Sequence, residues 1–125
     1  MTGVRLRALL PAGLVLLAAC EDTGTGTVCS GVPVPAVRVV VVDAATDVDL
    51  GRSATGWWVS GERRGLLEKN FLQAEIDLLA YGPAGTYSII VQQEGYRIWG
   101  RDDVRVRDGQ CGPETVILRA ELVRA

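Results

Sequence analysis

Any chemistry in this chain must come from carboxylates, three cysteines and a few tryptophan and arginine side chains, because histidine is absent. That absence removes Ser/His/Asp and Cys/His nucleophile systems, imidazole zinc sites and the commonest general base near neutral pH. Asp43, Asp47 and Asp49, in the run DAATDVDLG, have a spacing that could gather oxygen ligands for calcium. The run lacks the central Gly and closing Glu of an EF-hand, and turn-forming Asp side chains explain it more simply. No metal or cofactor is expected. A pair among Asp102, Asp103 and Asp108 has the groups for acid/base work, but acids are common in turns and nothing in the sequence builds a pocket around these. Lys69, the single lysine, lies in a polar segment and reads as solvated rather than as a Schiff-base former. No Gly-rich phosphate loop leads a strand into a helix. The expectation is a noncatalytic protein.

Binding chemistry has better material. Adjacent strand residues face opposite ways, so Trp57 and Trp58 cannot both enter a core. Val59 shares a face with Trp57, which puts Trp57 inside and leaves Trp58 partly exposed as a candidate contact, as cover for a sheet edge, or lying against the hairpin. Arg97, Trp99 and Arg101 fall on one face if that stretch is extended. Such a stripe suits an anionic or sugar ligand through cation–π and bidentate contacts. The plainer alternative is arginine stems packed over a ring on a solvated face.

These elements sit behind an N-terminal stretch laid out as a secretory signal: Arg5 and Arg7 in a short basic head, an apolar run from Ala8 to Ala19, and small residues at its end. The run is too short to span a bilayer, which takes about 20 residues, and Pro11 and Gly13 weaken it as a permanent helix. Leu17-Ala18-Ala19-Cys20 resembles the lipobox of bacterial lipoproteins. The resemblance implies cleavage between Ala19 and Cys20 and lipidation of the Cys20 thiol, leaving an acylated N-terminal cysteine. Multiple acyl chains on one residue meet the requirement for more than one membrane signal. The alternative is an ordinary cleaved signal, or a buried N-terminal helix, with Cys20 incidental. If Cys20 is lipidated, Cys29 and Cys111 remain as an even pair in an oxidising compartment, and a disulfide between them becomes the default; two unpaired buried thiols are the alternative. Glu21 is not the Asp usually associated with inner-membrane retention, which leans towards an outer membrane where one exists.

The organisation that follows is residues 1–19 as a lipoprotein signal peptide, 20–28 as a flexible Gly/Thr tether from the lipidated Cys, and 29–125 as one domain. Net charge is −2 over the whole chain, and removal of Arg5 and Arg7 makes it more acidic. With no Lys/Arg cluster forming a stripe, nucleic acid is an unsuitable partner. The partners expected are a membrane, through the anchor on Cys20, and an envelope protein or glycan.

Within the domain, Pro33 and Pro35 favour an extended lead-in. Ala36 to Asp43 is a valine-rich strand with burial on both faces. Thr55 to Ser60 reads as the next strand, and Gly61 to Gly65 as a charged hairpin turn. Phe71 to Leu79 alternates as a strand should, yet its Ala, Leu, Gln and Glu also suit a helix; a strand is favoured. Thr86 to Gln92 places Tyr87, Ile89 and Val91 on one face, Asp103 to Arg107 alternates again, and Val116 to Leu122 closes the sheet with Val116, Leu118, Ala120 and Leu122 inward.

Gly85-Thr86-Tyr87-Ser88-Ile89-Ile90-Val91 followed by Glu94-Gly95-Tyr96 is similar to the strand and turn of carboxypeptidase regulatory-like domains, which are transthyretin-like β-sandwiches. The resemblance spans roughly Cys29 to Val123, with Trp57 to Ala80 departing from the pattern. It implies that Tyr87 packs in the core and that Gly95-Tyr96 makes the turn into the next strand. The histidines and C-terminal tetrapeptide of the members that hydrolyse 5-hydroxyisourate are missing. Taken together, the sequence reads as an all-β antiparallel sandwich of about seven strands, transthyretin-like or Ig-like, lipid-anchored at the bacterial cell envelope and facing the periplasm or the cell surface. Its module would bind or build without catalysis. Alternatives are a carbohydrate or small-ligand binder using Trp58 and Trp99, an accessory subunit of an envelope assembly docking through a sheet edge, and, more remotely, a hydrolase accessory.

Overall fold

The computed structural model describes residues 28–125. The leader, Cys20 and nearly all of the tether lie outside the described residues. Ten strands follow in order: β1 Val37–Asp43, β2 Thr55–Ser60, β3 Arg63–Leu66, β4 Glu68–Lys69, β5 Leu78–Ala80, β6 Gly85–Gln92, β7 Trp99–Val106, β8 Asp108–Gly109, β9 Gly112–Pro113 and β10 Val116–Leu122. Among the described residues there is no helix. Three of the strands have only two residues, which accounts for ten where about seven are expected.

Two four-stranded sheets, ordered β10-β1-β5-β4 and β3-β2-β6-β7, face each other, with β8-β9 as a small separate hairpin. Their inner faces supply one core: Val37, Val39, Val41, Leu78, Ala80, Leu118, Ala120 and Leu122 from the first, Trp58, Tyr87, Ile89, Val91, Val104 and Val106 from the second. This is a β-sandwich, built from alternation on both inner surfaces. One pairing is not antiparallel: β1 and β10 run parallel in register from Val37↔Val116 to Asp43↔Leu122. The chain must therefore cross between sheets before its last strand, which alternation alone does not reveal.

Cys29 and Cys111 form a disulfide, with Cα atoms 5.4 Å apart across 82 residues of sequence. It fastens the lead-in to the β8-β9 hairpin just before β10, and Thr115 Oγ1 donates to the Pro35 carbonyl beside it. Closing a loop of that length removes about 4.5 kcal/mol of chain entropy from the unfolded state.

Sequence expectation and structure part company in the middle of the chain. The segment 71–79 is not a strand; only Leu78–Ala80 pairs, with β1 and β4. Leu72 is 95% exposed rather than alternating inward. The cause lies at Asn70, whose side-chain oxygen accepts from the Leu72 amide while its carbonyl accepts from Gln73, an Asx turn that bends the chain away from pairing. The chain turns back inside at Ile76, 2% exposed, ahead of the buried Leu78 and Leu79.

The adjacent tryptophans also take the opposite sides from those expected. The β2–β3 turn contains two residues, Gly61-Glu62, not five, so Ser60 pairs with Arg63 and Trp58 with Gly65. Gly61 at φ 61° occupies the first central position, as a type II′ turn requires. This register points Trp58 inward, where it is 6% exposed. Its ring lies over Gly65, where a Cβ would stand 2.7 Å from the indole nitrogen, and against Tyr87, centroids 5.2 Å apart. Trp57 takes the outer face and is half-buried.

Candidate functional site

The two ends of the sandwich differ in chemistry. At one end lie the entry at Cys29, the starts of β1, β6 and β10, the end of β7 and the Gly61-Glu62 turn. Tyr87, fully buried, donates from its hydroxyl to the Pro83 carbonyl there at 2.6 Å. Burial pushes the Tyr87 phenol above its ordinary pKa. This entry end carries Arg63, Arg64 and Arg105.

The opposite end is acidic and tightly tied. Asp43, the last residue of β1, is 3% exposed. Its Oδ1 accepts from the amides of Ala45 (2.8 Å) and Thr46 (3.0 Å), and its Oδ2 from the Tyr96 hydroxyl at 2.6 Å. Arg124 stands 3.6 Å from the same Oδ2 and lies over the Tyr96 ring, 5.0 Å from its centroid. The Tyr96 hydrogen bond, then the Ala45 amide, hold the Asp43 carboxyl below its usual pKa; the same hydrogen bond pushes the Tyr96 phenol up. The cluster joins the end of β1, the turn before β7 and the C-terminal segment, where Arg97 N donates to Val123 O and Ala125 N to Gly95 O. Asp47 pairs with Arg119 and Asp49 accepts from Gly51 N, so each of these three acids has its own local partner.

Beside this cluster, at the Thr55↔Gln92 end of the β2–β6 pair, opens a polar cleft of about 370 Å³. It is lined by Ser53, Thr55, Gln92, Gln93, Glu94, Gly95, Tyr96 and Ile98. The buried Gln93 Oε1 finds no donor among the described residues. Hydroxyls and amides converge here with few apolar neighbours, a set that exchanges hydrogen bonds with a neutral polar ligand. The residues come from the tips of two strands far apart in sequence, and only the QQEGY run following an alternating strand hinted at them.

The binding residues read from sequence do not gather at this cleft. Trp58 is in the core and unavailable to a ligand. Arg97 is exposed and precedes β7, held there by its backbone bond to Val123. Trp99 and Arg101 do pair, the guanidinium 5.3 Å from the ring centroid. Their cross-strand partners are Val91 and Ile89, both fully buried on the inner face. They therefore share that inner side, where Trp99 is partly buried against the core and Arg101 covers its ring at the margin between β7 and the facing sheet. A bulge at Asp102-Asp103, with Asp103 at φ 60°, restores Val104 to the interior opposite Tyr87. Trp99 is thus partly withdrawn against the core, with Arg101 exposed over its ring. Asp102 and Asp103 are exposed at this bulge, while Asp108 belongs to β8.

The outer face of the β3-β2-β6-β7 sheet was not anticipated. Leu66, Trp57, Ile90 and Gly100 form one cross-strand row, with Arg64, Val59 and Ser88 in the next row towards the entry end. Leu66 is 75% exposed, and a hollow of about 320 Å³ lies among Trp57, Arg64, Gly65 and Leu66. Compared with models of known protein families and with curated proteins, the sequence matches none.

Proposed function

We propose that this chain is a lipid-anchored protein of the bacterial cell envelope whose β-sandwich is a noncatalytic binding or structural module, similar in kind to the carboxypeptidase regulatory-like domains. The observation that carries the reading is the Cys29–Cys111 disulfide. It belongs to an oxidising compartment and accounts for two of the three thiols, leaving Cys20 directly after Leu17-Ala18-Ala19 behind a basic head and a short apolar run. A fold without histidine, whose buried acid Asp43 is spent on a structural cluster, supports a module that does not turn over substrate. The test is metabolic labelling with a clickable fatty acid. Label is expected on the native protein and absent from Cys20→Ser; equal label on both, or none on either, contradicts the anchor.

A second reading, favoured by the polar cleft and its unpartnered Gln93 oxygen, makes the module a receptor for a small neutral polyhydroxylated ligand such as a glycan. The cleft lies at the end opposite Cys29, where a chain tethered through Cys20 would present it outward. Backbone amide shifts confined to 92–96 on titration with oligosaccharides would support it; unchanged spectra would refute it.

A further inference from the structure

We propose that the outer face of the β3-β2-β6-β7 sheet, with Trp57, Leu66 and Ile90 next to Arg64 and Arg105, is a second membrane contact that rests on anionic phospholipid headgroups. The inference depends on the lipid anchor at Cys20.

Three observations identify the occupant. The first is distance: the chain from Cys20 to Cys29 reaches about 30 Å at most when extended, and Cys29 sits at the same end as the Gly61-Glu62 turn. A domain held that closely lies against the bilayer surface. The second is charge. On the outer side of the β10-β1-β5-β4 sheet, Arg38 pairs with Asp77 and Arg119 with Asp47 and Glu121. On the proposed face, Arg64 stands opposite Val59 and Arg105 opposite Thr86, both exposed, and neither has a carboxylate partner among the described residues. Arg63, opposite Ser60 and therefore on the Trp58 side of the strand, is a further exposed cation at the same end but not on this face. The acids Asp43, Asp47, Asp49, Glu75 and Glu94 lie at or near the far end. The proposed face thus carries two unpaired cations, Arg64 and Arg105, towards the tether end, with Glu62 in the turn beside them and Arg97 at the far end; it is these two arginines that an anionic surface would attract.

The third is the apolar row immediately beyond those cations. Trp57 shares its face with Leu66 and Ile90, and its amphipathic ring suits the headgroup level of a bilayer. Arg64 beside Trp57 and Leu66 on one sheet face brings together the cationic and apolar residue types of an interfacial segment, on a sheet instead of a helix. The anchor supplies a high effective concentration, so a face too weak to bind alone is expected to engage.

The test uses the lipidated protein extracted from membranes and reconstituted into phosphatidylcholine vesicles, with or without phosphatidylglycerol, some with brominated acyl chains. Flotation reads the anchor; bromine quenching of tryptophan fluorescence reads the face. Quenching is expected only with phosphatidylglycerol, weakened by added salt, lost in Trp57→Phe and reduced in the Arg64→Gln, Arg105→Gln double variant. The double variant changes exposed residues only, so it tests the idea even if Trp57→Phe folds poorly. A protein that floats but is quenched equally without phosphatidylglycerol, or irrespective of Trp57, overturns the proposal, as does a Trp57 covered by a co-purifying protein instead of lipid. Failure to float with either vesicle overturns the anchor itself, and this contact with it.

Discussion

Trp57 and Trp58 differ by one position and, by the register of the β2–β3 hairpin, should differ widely in what they contribute. Trp58→Ala removes a ring that is 6% exposed and packed over Gly65 and against Tyr87. Roughly 200 Å² of buried ring at about 25 cal/mol per Å² gives about 5 kcal/mol. That is an upper figure, because the unfolded chain already hides part of the surface; large-to-small substitutions of this kind cost about 3–5 kcal/mol. Trp57 touches solvent on one side and has Leu66 and Ile90 as cross-strand neighbours. Such pairs contribute about 0.2–1 kcal/mol each, so Trp57→Ala should cost about 2 kcal/mol at most. At about 4–8 °C per kcal/mol for a domain of this size, Trp58→Ala lowers the melting temperature by at least about 12 °C. Circular dichroism on both variants, with urea titrations at fixed temperature, measures the difference. A Trp57 variant as destabilised as the Trp58 variant, or more so, would refute the two-residue turn and the register built on it.

Three further outcomes follow from the same contacts. Gly65→Val drives a side chain into the Trp58 indole and should destabilise nearly as much as losing the ring, which urea midpoints will show; a neutral result would mean the ring lies elsewhere. Cys29→Ser with Cys111→Ser should lower stability by about 4–5 kcal/mol from loop closure, read as a urea midpoint shift equal to that of the reduced native protein; a shift under about 1 kcal/mol would contradict the clasp. Asp43 has a folded pKa below its unfolded value, so its contribution is present above the ordinary carboxylate value of about 4 and is lost as pH falls through the folded value. Tyr96→Phe removes the main cause, and melting temperatures between neutral pH and about pH 3 should fall less steeply with acid than in the native protein; parallel profiles would place the acid sensitivity elsewhere.

What the sequence made legible was what alternation encodes directly. β1, β6 and β10 follow from valine density and period-two patterning, and Tyr87, Ile89 and Val91 are buried as that pattern requires. Less was legible where one local contact outranks pattern. The alternation of 71–79 gives way to the Asn70 turn, and the side chosen by each tryptophan depends on how many residues the hairpin turn holds. A glycine opposite Trp58 was the available signal, since only there can a large ring lie flat against the neighbouring strand. The parallel β1–β10 pair and the cleft at the Thr55↔Gln92 end depend on long-range pairing that no local window contains. For the binding residues, the Trp99–Arg101 contact was readable from spacing. Its place at the inner margin was not, because the bulge at Asp102-Asp103 alters the face count along β7.

The central claim is an anchored, disulfide-clasped domain, and the intact mass of the protein extracted from membranes, taken before and after reduction and thiol alkylation, tests it most directly. The expected mass is that of a chain beginning at Cys20 that carries acyl groups and gains two alkylated thiols only after reduction. A mass matching the unmodified chain from Met1, or thiols that alkylate fully without reductant, would contradict it.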